Sequence, residues 1–178
     1  MPDRWKVLVI SDTHNRTDRA EKVITELQDH IDAVYFLGDY LEDGERLARK
    51  YPRLAFLCVA GNCDYTSRNP FFEVNVAGHK LFLCHGHRYG VKDGYDSIRS
   101  VGIAGGYDVV LFGHTHIPFA QDEEELLLLN PGSIGMPFAI YGSDYAVLKL
   151  VVGQRPSYRL GDSGKSTDDI IAFLEENA

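Results

Sequence analysis

The sequence has 178 residues, 44% hydrophobic and 25% charged, with no low-complexity stretch; this suits one globular domain over 1–178 and excludes a disordered or fibrous chain. Its formal net charge of -8, from 18 Lys and Arg against 26 Asp and Glu with no basic cluster, argues against an extensive nucleic-acid surface. No apolar run reaches the roughly 18 residues of a membrane span, no secretory leader is legible at the N-terminus, and 3 cysteines without a spaced pattern argue against a disulfide framework, so a cytoplasmic protein is expected.

In chain order, Val7 to Ile10 is a continuous aliphatic run, as expected for a strand buried on both faces. Thr17 to His30 follows with Ala20, Val23, Ile24 and Leu27 at helical spacing. Ala33 to Leu37 reads as the second strand, Gly44 to Tyr51 as the second helix and Leu54 to Ala60 as the third strand. This βαβαβ order predicts parallel strands with right-handed crossovers. Phe71 to Val76 and Leu81 to Cys84, joined by Ala77-Gly78-His79-Lys80, read as a hairpin. A helix is expected at Tyr95 to Ala104 and a strand at Asp108 to Phe112. From Phe119 the pattern is all-β, with Glu125 to Leu129, Tyr145 to Val152 and Ser157 to Leu160 as strands, until Ser166-Thr167-Asp168 caps a final helix at Asp169 to Glu176. The expected architecture is two packed sheets with helices outside them.

The polar residues sit where these strands end. Ser11-Asp12-Thr13-His14 follows the first strand, Gly38-Asp39 the second, and Gly61-Asn62-Cys63-Asp64 the third. His85-Gly86-His87 ends the hairpin, and Gly113-His114-Thr115-His116 follows the next strand, where alternation in an extended segment would put both histidines on one face. Ligand sites in open α/β sheets lie at the carboxyl ends of strands. Each motif alone has an ordinary reading: Asp12 as a helix cap; Asp39, Asn62 and Asp64 as turn residues. Five successive strand ends carrying Asp, Asn or His make five separate coincidences a poor account.

With Asp12-x-His14, Gly38-Asp39, Gly61-Asn62, His85-Gly86 and Gly113-His114-Thr115-His116 in this order, the sequence resembles the calcineurin-like metallophosphoesterases. Asn130-Pro131-Gly132-Ser133 also resembles the segment that follows in their small bacterial and archaeal phosphodiesterase branch. The resemblance implies an α/β fold, a four-layer αββα sandwich with two mixed β-sheets flanked by helices. It implies two divalent transition metal ions, one held by Asp12, His14, Asp39 and His116, the other by Asp39, Asn62, His85 and His114, with Asp39 shared. Carboxylate, amide and imidazole donors suit manganese first, with iron, nickel, cobalt or zinc as substitutes. Two such ions, two carboxylates and a metal-bridging hydroxide would leave a local charge of about +1, favourable for a phosphoester in an acidic protein. The expected activity is phosphodiester hydrolysis by that hydroxide, with Asn62, His85, His87 and Asp39 as catalytic residues.

Many relatives carry histidine after the asparagine, as a proton donor to the leaving group, where this chain has Cys63. A thiolate there would be a poor donor, so esters with good leaving groups are expected to be preferred. Arg16 and Arg88 lie near their motifs and are candidate contacts to substrate oxygens, while Tyr65 to Pro70 and Pro137 to Asp144 are expected to shape the pocket. Gly161 to Ser166 is not a P-loop, because Arg159 stands where its first glycine belongs. Two alternatives stay open: a phosphomonoesterase with the same dinuclear site, and a non-catalytic protein-interaction scaffold, as in a retromer subunit of similar fold. The expected partner is a small-molecule phosphoester, with no membrane, and a homodimer or higher homo-oligomer is possible by resemblance.

Overall fold

The computed structural model describes residues 2–176; residues 1, 177 and 178, the ends of the expected domain, lie outside it. In chain order the elements are β1 (Arg4–Ile10), α1 (Asp18–Leu27), β2 (Ala33–Phe36), α2 (Leu41–Lys50), β3 (Ala55–Cys58), β4 (Phe71–Val76) and β5 (His79–Cys84). They continue with α3 (Asp96–Gly105), β6 (Val109–Leu111), β7 (Phe119–Asp122), β8 (Leu127–Asn130), β9 (Tyr145–Val151), β10 (Ser157–Gly161) and α4 (Asp168–Glu175). Two mixed five-stranded sheets form, in the orders β10-β9-β1-β2-β3 and β4-β5-β6-β8-β7. No described helix is long and apolar enough to cross a membrane.

The aliphatic runs make sense because each strand of the first sheet is covered twice. Along β1, Leu8 and Ile10 pack with Ala20, Val23, Ile24 and Leu27 of α1 and with Ile170 and Leu174 of α4. Val7 and Val9 turn the other way and meet Leu81, Leu83, Val109, Leu111, Leu127 and Leu129 of the second sheet. The outer face of that sheet, Phe82, Val110 and Leu128, is closed by Ile98 of α3. These three apolar layers between four layers of structure are the αββα sandwich expected. Each buried aliphatic side chain contributes on the order of 1.5–3 kcal/mol.

Several boundaries differ from expectation, among them β1, which begins at Arg4 rather than Val7, and two differ for identifiable reasons. Helix α2 starts at Leu41 rather than Gly44. Gly44 is a packing position inside the helix: a Cβ there would lie 2.9 Å from Cys58 Sγ and from the Phe36 ring, and the Leu41 N–H at the helix start donates to Asp64 Oδ1 at 2.7 Å. The β4–β5 connection is two residues, not four, because Ala77 and Gly78 both take positive φ (48° and 76°), the backbone of a tight hairpin turn. Strand β7, antiparallel to β8, occupies a stretch for which only β character was expected.

Candidate metal centre

Strands β1, β2 and β3 run parallel in one sheet, and β5, β6 and β8 run parallel in the other. Backbone hydrogen bonds tie their trailing loops into one cluster: Asp12 N to Gly38 O (2.9 Å), Gly113 N to His85 O (3.0 Å) and Ile134 N to Ser11 O (3.1 Å). Asp12, His14, Asp39, His114 and His116 all have positive φ, between 46° and 71°. This sparsely populated region costs non-glycine residues on the order of 1–3 kcal/mol each and clusters at functional sites. The finding corrects one expectation: His114 and His116 do not share a face of an extended segment. Their left-handed backbones send them apart, His116 to Asp12 and His14, His114 to His85 and Asp39.

Asp12 is fully buried. Its Oδ2 accepts from Ser11 Oγ at 2.5 Å and from His114 N at 3.1 Å. Its Oδ1 is buried without a hydrogen-bond partner, yet lies 3.2 Å from His116 Nε2, 3.7 Å from His14 Nε2 and 3.8 Å from His85 Nε2. Asp39 Oδ2 lies 3.3 Å from His85 Nε2 and 3.8 Å from His14 Nε2, while its Oδ1 accepts from Cys63 N at 2.9 Å. His85 Nδ1 donates to Leu37 O at 2.6 Å; a carbonyl accepts only, so the proton is on Nδ1 and the Nε2 lone pair is aimed at the cluster. That Nε2 is 3.1 Å from Asn62 Oδ1, and His14 Nε2 is 3.0 Å from His116 Nε2. With its proton on Nδ1, His85 Nε2 faces Asn62 Oδ1 acceptor to acceptor, which is repulsive unless a proton or cation lies between, and about 3 Å is the spacing of neighbouring donors around a cation about 2.1 Å away. The residues therefore fit divalent metal. Three sets, Asp12/His14/His116, Asp39/His85/His114 and His14/Asp39/Cys63, each bring their donor atoms within 4.8 Å of one another.

The charges explain the titration of these groups. Burial alone would raise both carboxylates, but the imidazoles of His116 and His14 beside it hold Asp12 far below the usual range, and His85 holds Asp39 down at about 2. The Asp12 carboxylate beside it raises His14; for His85, burial works against the proton but Asp39 and Asp12 outweigh it. Burial and the neighbouring His85 lower His114 to about 4 and also lower His87. In the metal-free protein His14 and His85 thus keep protons to higher pH than a free imidazole, and a metal must displace them. Apparent affinity for manganese should rise by about tenfold per pH unit for each proton displaced between about pH 6 and 8, with proton release visible by calorimetry in buffers of different ionisation enthalpy. A pH-independent affinity without proton release would show both imidazoles neutral beforehand.

Of the sequence-predicted residues, Asp12, His14, Asp39, Asn62, His85, His114 and His116 come together. His87 lies beside them, its ring 5.4 Å from that of His85 and 6.0 Å from that of His114, with a buried Nδ1 lacking a partner. Several supporting residues carried no such expectation. Asp43 Oδ2 accepts from Thr13 Oγ1 (2.7 Å) and Asn15 N (2.9 Å), fixing the first loop. Asp64, read as a turn residue, bridges two loops by accepting from Leu41 N and Gly61 N, both at 2.7 Å. Ser133 Oγ donates to Asp12 O at 2.8 Å, and Asn130 Nδ2 to Gly113 O and Thr115 Oγ1, both at 3.0 Å. The only sequence signal for the last two was their place in the Asn130-Pro131-Gly132-Ser133 segment.

Aromatic rings extend the cluster at both ends. Tyr40 meets His14 edge-on at 5.6 Å, His14 meets His116 at 4.9 Å, His116 meets Phe138 at 6.4 Å, and Phe138 meets Tyr141 at 6.0 Å. A cleft of about 410 Å³ lies at the Tyr40 end, lined also by Cys63, Tyr65 and Arg68. One of about 560 Å³ lies at the Phe138 end, lined also by Arg16, Arg19 and Met136.

Comparison with known proteins matches residues 5–152 to the calcineurin-like phosphoesterase superfamily domain. The chain is 30% identical over 146 residues to the probable metallophosphoesterase YsnB of Bacillus subtilis, covering 81% of this chain and 83% of that one. It is 27% identical over 166 residues to the phosphodiesterase YfcE of Escherichia coli, covering 80% and 86%. Among solved structures, vacuolar protein sorting 29 from Cryptosporidium parvum shares the fold with a TM-score of 0.67 at 17% identity, over 90% of this chain and 98% of that one.

Proposed function

The chain belongs to the calcineurin-like phosphoesterase superfamily, and from that membership we propose that it is a dinuclear metal-dependent phosphodiesterase. The observation that carries this reading is Asp12 Oδ1, a buried carboxylate oxygen without a hydrogen-bond partner among three imidazole nitrogens. Leaving such a group unsatisfied costs on the order of 1–3 kcal/mol or more, a cost that a bound cation removes. In this reading Asp12, His14, Asp39 and His116 hold one ion and Asp39, Asn62, His85 and His114 the other, with manganese preferred. When bound, the ions supply Lewis acidity and lower the pKa of water, making a hydroxide nucleophile available at neutral pH.

The chain's own residues do the rest. His85, oriented by Leu37 O, and Asn62 present neutral donors on one side of the shared Asp39. His87, whose pKa is lowered first by burial and then by His85, stays neutral and can donate to a phosphoryl oxygen. Burial and Asp39 push the Cys63 thiol up to about 11. Without metal the thiol is thus protonated, and beside bound cations it would be a thiolate; neither form is a proton donor matched to neutral pH. Leaving groups that need no protonation remain favoured. All three cysteines are free, which supports a reducing compartment such as the cytoplasm.

The two clefts favour diesters over monoesters, because a diester has a substituent to place at each end. With manganese supplied, bis(p-nitrophenyl) phosphate should turn over at least about tenfold faster than p-nitrophenyl phosphate, and alkyl diesters more slowly than aryl ones. Equal or faster monoester cleavage would make it a phosphomonoesterase. Absence of turnover with every divalent metal would favour the scaffold reading suggested by the likeness to vacuolar protein sorting 29. In favour of catalysis, His14, His85, His114 and His116 are all present.

A further inference from the structure

The two clefts differ in charge. Three arginines line them. In the Tyr40 cleft, Arg68 Nη1 is already committed to Glu45 Oε1 at 3.1 Å. In the Phe138 cleft, Arg19 Nη1 is held by Ser163 Oγ at 3.1 Å and buried Asp144 at 3.5 Å. Arg16 differs: among the described residues its guanidinium makes no hydrogen bond or ion pair, although Asp18 lines the same cleft. Its backbone is fixed, with its N–H donating to Thr13 O at 2.9 Å. The cleft adjoins the cluster, since Gly135 on its wall donates to the Asp12 backbone carbonyl at 3.3 Å and the Phe138 ring lies 6.4 Å from that of His116. Phe138 and Met136 are 49% and 37% exposed, leaving an aromatic face and a polarizable thioether uncovered beside the free cation.

A free guanidinium selects a phosphate or carboxylate, with fork geometry matched to two oxygens. An exposed ring and a methionine accept a flat heterocycle by stacking. A volume of about 560 Å³ suits a group larger than a simple aryl ester. We propose that the Arg16–Phe138 cleft is the subsite for one substituent of the diester, and that this substituent is a nucleoside carrying a second phosphate. Arg16 pairs with the second phosphate and Phe138 with the base. The assignment rests on the phosphodiesterase reading and adds the substrate class to it.

Thymidine 3′-phosphate 5′-(p-nitrophenyl phosphate) and its analogue without the 3′-phosphate test it. Hydrolysis joins the oxygen of water to the 5′-phosphorus, breaks the bond to nitrophenolate, and leaves thymidine 3′,5′-bisphosphate or thymidine 5′-monophosphate. KM for the 3′-phosphorylated ester should be at least about tenfold lower, and Arg16→Gln should bring that ratio close to one, while Arg53→Gln on the far surface keeps it. Calorimetry of thymidine 3′,5′-bisphosphate with the metal-free protein supplies a reading independent of turnover, and Arg16→Gln should weaken that binding about tenfold. Equal KM values in the unaltered protein, or a ratio that survives Arg16→Gln, overturns the subsite. If no diester is cleaved but the Arg16-dependent binding holds, the phosphodiesterase reading fails and the subsite stands; if neither is seen, both fail.

Discussion

Replacing Asp39 with asparagine should remove metal-dependent turnover by more than about 1,000-fold and strip both ions on dialysis, while the protein stays folded. Asp39 and His14 each belong to two of the three donor groups, and Asp39 is the shared carboxylate, with His85 and His114 on one side and His14 and Cys63 on the other. Its Oδ2 faces His85 and His14 at 3.3 and 3.8 Å while its Oδ1 is occupied by the Cys63 N–H. Asparagine keeps the shape and can keep the bond to Cys63 through its amide oxygen, but it places an N–H₂ toward imidazole lone pairs and withdraws a negative charge from both proposed metal positions at once. Loss at a residue serving one ion, such as Asn62, would leave the other set complete. Metal content by elemental analysis, turnover and the thermal midpoint should be read together. Full metal content with turnover within tenfold of the unaltered protein would end the shared-ligand reading; a collapsed thermal midpoint would instead be met by Asp39→Glu, which restores the charge and should recover part of the metal.

The parts of this molecule that were legible in the sequence are those whose cause is local. Val7 to Ile10 and Ala33 to Phe36 announce strands because both faces are covered, so no polar residue interrupts them. The candidate donors were legible because they follow such runs. What escaped is what distant segments decide. Gly44 looked like a helix boundary, and only the nearness of Phe36 and Cys58 explains a glycine inside the first turns of α2. His114 and His116 looked extended by propensity; the hydrogen bond from His114 N to Asp12 Oδ2, across 102 positions of sequence, holds one of them in a backbone that propensity disfavours. Asp43 and Asp64 are ordinary loop carboxylates in sequence, and their work lies in the loops they join. Each cleft is formed by segments apart in sequence, 16–19 with 135–138 and 40–42 with 63–68, so neither their number nor their unequal charge could be read from composition.

Gly61→Ala should be a strongly damaging single-methyl change at the site, costing about 1–3 kcal/mol of stability and at least about 100-fold in metal affinity. A Cβ at position 61 would stand 2.0 Å from Asp39 Oδ1 and 2.5 Å from the Asp39 backbone nitrogen. A flexible side chain could swing away from such a contact, but here one of the two atoms is backbone and the other is a carboxylate oxygen held by Cys63 N. The strain must therefore move the Asp39 loop or the Gly61 loop, and the second is pinned by Gly61 N to Asp64 Oδ2 at 2.7 Å. Either movement pulls Asp39 Oδ2 away from His85. Glycine precedes Asn62 for this spatial reason, since Gly61 is not among the positions of positive φ. Metal titration and thermal unfolding of Gly61→Ala would check the argument: undiminished metal affinity would mean that the loops yield without moving Asp39, and that the tight seat of this carboxylate is not what positions it.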